Sequence, residues 1–337
     1  MIERHFGAST PLSVGVEEEL MILDAETLEP AAAVDVLLSG AAGLDLPGTF
    51  KTELHASVVE LTTGVCADAD EAVEALRELR AAAVSIAGDH GLALAAAGAH
   101  PTAQLDALPV LEEKRYLDML RRIGTTARRQ GVNGLHVHVG VESADRCWER
   151  LEAVLPWLPV VLALSANSPF VDGVATGMLS NRARILAELP RGGAPPAFGS
   201  YASWEEWVER LVRLGVMEDY TRIWWDARPH PRFGTLEIRI PDQPTSLERT
   251  ALIVRLLRDL VADAAPTSAN RGDYAQNRWA ASRAGLDATL LHPDGERVAT
   301  ARELARELLG AEPPDPEAHA QLEADNVAAD LVARTLG

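Results

Sequence analysis

The sequence predicts an α+β fold, an antiparallel sheet with helices packed on one face, and three observations carry that prediction. Segments 12–23, 134–141 (GLHVHVGV) and 234–242 (GTLEIRIPD) alternate apolar and polar residues, as strands with one buried face do. Amphipathic helical patterns are interspersed among them. No G-x-G-x-x-G follows a strand, no Walker A motif is present, and the solid apolar runs of a parallel Rossmann sheet are missing.

In chain order, 12–23 reads as the first strand. A turn-rich stretch with Pro30, Gly40, Gly43, Pro47 and Gly48 follows, and 51–63 (KTELHASVVELTT) reads as extended. Asp68 and Asp70 precede a helix that ends before Gly91. Residues 92–101 read as a buried strand, 112–130 as a charged helix, and 145–165 as a helix with breaks allowed at Pro156 and Pro159. The Gly- and Pro-rich stretch 166–200 reads as loop with a short helix near Arg182–Leu189, and is the expected lid over a site. Helices are expected at 203–214, at 245–264 behind a Thr245 or Ser246 cap, and at 316–334, with a polar stretch at 267–278. Neither a repeat nor a low-complexity linker divides the chain, so one domain spanning 1–337 is expected.

The 337 residues carry a net charge of −19, which argues against a nucleic-acid surface, since phosphate contacts need clustered Lys and Arg. No long uncharged apolar run suggests a membrane span, and the N-terminus lacks a signal-peptide layout, so a cytoplasmic setting is expected. Cys66 and Cys147 are too few for a disulfide framework. Lys51 and Lys114 are the only lysines. The arginine bias suits bidentate grips on phosphate and carboxylate, but a GC-rich coding sequence is the simpler account of it and of the excess of alanine.

Strand parity sorts the charges, because residues two apart share a face. Glu17 and Glu19 point one way and Glu18 the other, with Val14, Val16, Leu20 and Ile22. His136 and His138 share a face, as do Glu237 and Arg239. A solvated sheet face would mix Thr, Ser, Lys and Gln; these pairs are Glu/Glu, His/His and Glu/Arg. Neighbouring carboxylates repel, and a divalent cation is the simplest compensation. Zinc prefers His and Cys, and no second His cluster exists; carboxylates favour Mg²⁺ or Mn²⁺, which often take phosphate oxygens as remaining ligands. Glu18, on the apolar face, needs an arginine or another polar partner.

The stretches VGVEEEL, KTELHASVVELTTG, LAAAGAHP, NGLHVHVGV, LSANSPF, TGMLSNRARI, IWWDARPHPRFGTLEIRIPD and QNRWAASRAGLDA, in this order, resemble the type 2 glutamate–cysteine ligase-like family, the carboxylate–amine ligases. The resemblance runs from about residue 12 to 310. It implies a glutamine-synthetase-like fold, a curved antiparallel sheet carrying metal ions and ATP, with helices on its outer face. It also implies ATP-dependent amide formation through an acyl phosphate, from glutamate and cysteine in the family's named reaction, by a homodimer. By the same resemblance, Glu17, Glu19, Glu53, Glu60, His136 and Glu237 hold metal and Arg239 grips phosphate. His138 lies at or next to the metal, Arg182 and Arg228 meet substrate carboxylate or phosphate, and Asn277 and Arg283 are weaker candidates for the nucleotide. Glu53 and Glu60 are seven apart and of opposite parity, so a bulge or break near Ala56–Val58 is expected if both reach the site. A metal-dependent hydrolase using the H-x-H pair and a non-catalytic nucleotide-binding relative are the competing readings.

Overall fold

The computed structural model describes residues 2–263, 265 and 270–336. Its strands are β1 (Val14–Asp24), β2 (Gly48–Thr52), β3 (Val58–Thr63), β4 (Leu92–Ala95), β5 (Leu135–Gly140), β6 (Phe170–Val171), β7 (Val174–Ala175), β8 (Gly192–Gly193), β9 (Trp224–Trp225), β10 (Ala227–His230), β11 (Thr235–Ile238), β12 (Thr289–Leu291) and β13 (Val298–Thr300). Seven of them form one antiparallel sheet in the order β10-β11-β5-β1-β3-β2, with β4 pairing the far end of β1. The expected α+β class therefore stands.

The longer helices are α1 (Val34–Ala41), α2 (Ala69–Asp89), α3 (Lys114–Ile123), α4 (Thr125–Arg128), α5 (Ala144–Val154), α6 (Leu158–Ser165), α7 (Asn181–Leu186), α8 (Tyr201–Arg213), α9 (Leu247–Asp263), α10 (Arg271–Ala284), α11 (Ala301–Leu309), α12 (Glu317–Glu323) and α13 (Val327–Leu336). The apolar sheet face, with Val16, Leu20, Leu61, Val137 and Ile238, packs on α2, α5 and α9, whose core residues include Leu76, Leu79, Leu151 and Leu257, and α6 packs in turn on α9. Asp68 caps α2 by accepting from the Asp70 and Glu71 N–H groups, as its position predicts. At α9 it is Ser246, not Thr245, whose Oγ accepts from the third helical N–H, that of Arg249.

Several boundaries differ from the sequence reading, each for a local reason. The expected helix 112–130 breaks at Gly124, whose φ of 74° lies in the left-handed region. Residues 92–101 form a strand only to Ala95, although Ala96–Pro101 stay buried. α1 falls in the stretch read as turns, its Val34 and Leu37 one turn apart against the core. The helix expected at 316–334 is interrupted at 324–326. Of the polar stretch 267–278, residues 267–269 lie outside the described residues and Arg271 onward is α10, capped by Asn270. Both prolines near 156–159 sit at starts of helical turns rather than ending them.

Glu18 lies fully buried on the helix side, as parity requires. Arg80 of α2 meets it in a two-pronged pair, Nε to Oε2 and Nη2 to Oε1, both 2.7 Å. Gln243 and Thr250 complete the carboxylate's shell at 3.0 and 2.8 Å. Cys66 and Cys147 are buried and free. Among the described residues no helix is long and apolar enough to cross a membrane.

Candidate active site on the open sheet face

Opposed residues of an antiparallel ladder share a face. The register of this sheet lines up Glu17 with His136, and Glu19 with Glu60 and then Lys51. Gly15, His138, Glu237 and Arg228 form a second row. The rows run across six strands, and Gly15 leaves room over His138. Glu53 follows directly after β2, and Arg239 directly after β11. All the charged members line one cavity of about 450 Å³.

The opposite parity of Glu53 and Glu60 is resolved by a chain reversal. Segment 51–63 is not one extended strand: β2 ends at Thr52, the chain turns, and β3 returns beside it with Lys51 facing Glu60. Glu53 shares parity with Lys51, so the hairpin brings both glutamates to one side. The expected break is present and lies over 53–57.

The acids gather in two groups of three, each with ligand atoms within 4.8 Å of one another: Glu17, His138 and Glu237, and Glu19, Glu53 and Glu60. His136, also expected among the metal ligands, belongs to neither group. It stands between them, Nδ1 3.1 Å from Glu17 and Nε2 3.8 Å from Glu19, with Arg182 and Arg239 nitrogens at 3.5 Å. His138 lies in the first group. Its Nδ1 shares a hydrogen bond with Thr235 Oγ1 at 3.0 Å, while its buried Nε2 has no hydrogen-bond partner and lies 3.7 Å from Glu17. A histidine fixed through one nitrogen and aimed by the other at two carboxylates is set up to hold a metal.

The electrostatics point the same way. Burial pushes the Glu19 carboxyl up to about 7, Glu60 adding to it against Arg182. Burial, Glu19 and Glu60 raise Glu53 well above the usual carboxylate range, and burial and Glu17 raise Glu60. In the other group burial also works against charge, but His136 and His138 hold Glu17 well below its ordinary value, and Arg228 and Arg239 do so for Glu237. His136 is driven down to about 3 by burial and Arg239. Three carboxylates that resist ionising together fit a hard divalent cation; with one histidine in the first group and none in the second, zinc fits poorly.

The arginines divide. Arg228 is committed to structure: its Nε donates to Glu237 Oε2 at 2.6 Å and its Nη1 to the carbonyls of Thr221 and Ile223. Arg239 also pairs with Glu237 while lining the cavity. Arg182, nearly fully buried, donates to the carbonyls of Ile240 and Arg239, and its Nε has no hydrogen-bond partner. Its guanidinium lies over Gly134, where a Cβ would fall 2.0 Å from Nη2. Gly134 also donates its N–H to Glu19 Oε2 at 2.6 Å.

Asn277 and Arg283 do not reach the cavity. Asn277 clamps both backbone polar groups of Leu291 in β12, and Arg283 donates to the Gly177 carbonyl. The same helix does serve the site indirectly. Arg278 and Tyr274 hold Asp226, whose carbonyl accepts from the Arg239 N–H. The sequence reading missed Lys51, Tyr116, Trp224 and Phe233 as lining residues. Of these only Lys51 carried a signal, its parity with Glu53.

Residues 13–331 match the family model described as glutamate-cysteine ligase family 2. The chain belongs to this family. A Rubrobacter xylanophilus protein provisionally named glutamate–cysteine ligase 2-3 is 41% identical over 314 residues, 92% of this chain and 85% of that one. The glutamate–cysteine ligase of Haloferax volcanii is 39% identical over 297 residues, 85% and 82% of the two chains. Among solved structures, the glutamate–cysteine ligase of Francisella tularensis in complex with AMP superposes with a TM-score of 0.61 at 14% identity, over 97% of this chain and 82% of that one. The bifunctional glutathione synthetase of Pasteurella multocida gives 0.63 at 17%, over 97% of this chain, which spans 51% of that protein's length. At those identities the shared feature is the fold.

For this family 2 ligase the acid groups predict a cation-dependent stability with a definite pH sign. A carboxyl at about 7 in the native state keeps a proton that the unfolded chain has lost above roughly pH 4.3. Without a cation, the contribution of Glu19 to stability therefore falls as pH rises through that window. A cation must displace the proton, so its stabilising effect grows over the same range. The rise in melting temperature caused by excess Mg²⁺ over a chelator should be small near about pH 5.5 and several-fold larger near about pH 8. An equal shift at both pH values counts against cation binding by this group.

Proposed function

We propose that this chain is an ATP-dependent carboxylate–amine ligase that activates a carboxylate as an acyl phosphate, with glutamate and cysteine the first pair to test. The observation that carries the reading is the pairing of two acid groups on one sheet face with Arg182 and Arg239 beside His136, between them. Five glutamates and six Lys or Arg side chains line the cavity, so it is not simply a cation trap; it suits a polyanion arriving with its metals.

Divalent cations, when bound by Glu17, His138 and Glu237 and by Glu19, Glu53 and Glu60, would supply charge neutralisation and Lewis acidity at the phosphates. The chain's own residues do the rest. A substrate carboxylate oxygen attacks the γ-phosphorus of ATP and ADP leaves. The amine nitrogen then attacks the acyl carbon, phosphate leaves, and the nitrogen gives up its extra proton to phosphate or solvent. Arg239 faces the developing phosphoryl charge, and the spare Arg182 N–H is a further donor for an anionic oxygen. Arg228 keeps Glu237 oriented and ionised. Water has to be kept from the acyl phosphate. Within the expected lid, Asn167, Ser168 and Ser180 are tied to Asp242, whereas Leu186 and Leu189 line the cavity. The part of that stretch bordering the cavity is thus Arg182, Leu186 and Leu189. Asn277 and Arg283 have no part in this reading.

The test is an ADP-release screen with Mg²⁺ and ATP, crossing glutamate, aspartate and other amino acids with cysteine, other amines and hydroxylamine. ADP should appear only with a carboxylate, and hydroxylamine should trap the acyl phosphate as a hydroxamate. ADP release with no hydroxamate from any carboxylate would overturn the acyl-phosphate step. Turnover of an ester or amide without ATP would favour the hydrolase, and ATP binding with no ADP release across the screen would favour the non-catalytic relative.

A further inference from the structure

One cation in the cavity touches both acid groups. Lys51 Nζ lies 3.0 Å from Glu60 Oε1 and 3.9 Å from Glu17 Oε1. Glu60 belongs to one group of three and Glu17 to the other. The placement is built into the backbone, because Lys51 faces Glu60 across β2–β3 and Glu60 faces Glu19 across β3–β1. The Lys51 side chain is 44% exposed, so its stem runs along the cavity rim and its head can leave without disturbing the core. The residue type is also informative. Among 31 Lys and Arg residues only two are lysine, so a coding bias towards arginine does not explain this one. A lysine is a compact, strongly hydrated point charge on a flexible stem, whereas a guanidinium would form fixed forks with the carboxylates.

We propose that Lys51 is a built-in counter-cation that competes with divalent metal for the two acid groups and yields when the metal arrives with the nucleotide. In the nucleotide-free protein the ammonium offsets part of the repulsion between Glu17 and Glu60 and weakens the binding of bare Mg²⁺. When the phosphates enter, the ammonium is free to turn from the carboxylates towards their oxygens. Lys51 is thus a positioning residue for the metals, and it favours joint entry of metal and nucleotide over prior loading with metal. This rests on the metal-site reading above.

The test is calorimetric titration of Mg²⁺ into nucleotide-free protein, for the natural chain and for Lys51→Met and Lys51→Gln, with melting curves to show that each is folded. Lys51 sits on the sheet's edge strand with a half-exposed side chain, so at least one of the two neutral variants should fold. Removing a unit charge this close to both groups should tighten Mg²⁺ binding about tenfold or more, and Lys51→Arg should not reproduce that gain. In turnover, the neutral variants should show a lower apparent Mg²⁺ requirement together with a raised KM for ATP. A merely structural lysine would leave the Mg²⁺ affinity unmoved. Unchanged or weaker Mg²⁺ binding in the folded neutral variants, beside measurable binding by the natural chain, overturns the role of Lys51 alone. Absence of Mg²⁺ binding in all of them overturns the metal site itself and this inference with it.

Discussion

Glu19→Gln should abolish ATP-dependent turnover while leaving the folded protein as stable as before, or slightly more so. The side chain has two jobs that separate cleanly. Its Oε2 accepts the Gly134 N–H, and a glutamine oxygen can accept the same bond. Its charge is what burial resists, holding the carboxyl at about 7, so a neutral isostere removes a penalty in the cation-free protein. Metal binding needs that charge, and with it goes the group formed with Glu53 and Glu60. A fall in kcat/KM of about a thousandfold or more, equivalent to about 4 kcal/mol of transition-state stabilisation, is expected alongside an unchanged or raised melting temperature. Glu237→Gln is the instructive contrast. It too should lose activity, but it also strips Arg228 and Arg239 of their buried carboxylate partner, so it should lose stability. If Glu19→Gln keeps more than about a tenth of the natural turnover, the carboxylate is not a metal ligand.

Why some of this was legible in the sequence and some was not follows from how far each signal reaches. Parity is local: it needs only neighbours two apart, and it separated Glu17 and Glu19 from Glu18 correctly. The same rule set Glu53 and Glu60 in conflict, because it assumes that the chain keeps going straight, and here it turns back on itself. The choice between His136 and His138 was beyond parity altogether, since both share a face. Their surroundings differ through register, β11 placing Glu237 beside His138 and β1 placing Glu17 beside His136. Asn277 and Arg283 show the other limit. Their motif belongs to the family, but α10 spends these side chains on β12 and the Gly177 carbonyl, and contributes to the site through Arg278 and Tyr274 on Asp226. Lys51 opens the stretch KTELHASVVELTTG and shares parity with Glu53, but only the β2–β3 register, which pairs it with Glu60, places it among the acids.

The largest stability effect should come from the opposite face of the same strand. Arg80→Met should destabilise the protein by about 3–5 kcal/mol, the cost of leaving one member of a buried ion pair without the other. Glu18 is fully buried, and Gln243 and Thr250 each supply a single neutral donor, which cannot replace a guanidinium gripping both oxygens. The carbonyls of Pro244 and Thr245 would also lose the Arg80 donors that now satisfy them, loosening the entry to α9. At roughly 2–4 °C per kcal/mol for a large domain, the melting temperature should fall by about 10 °C. A double-mutant cycle separates pairing from packing. Glu18→Leu with Arg80→Met removes both charges and leaves apolar groups in their place, so the double variant should be more stable than the sum of the two single losses by well over 1 kcal/mol. Additive losses would mean that the two side chains act independently and that the α2 contact matters only through its alkyl packing. Because β1 carries Glu17 and Glu19 on one side and Glu18 on the other, a strand that shifts when Arg80 is lost carries both acid groups with it. The Arg80→Met protein should therefore also show weaker Mg²⁺ binding at temperatures well below its melting point, whereas an independent structural pair would leave that affinity where it was.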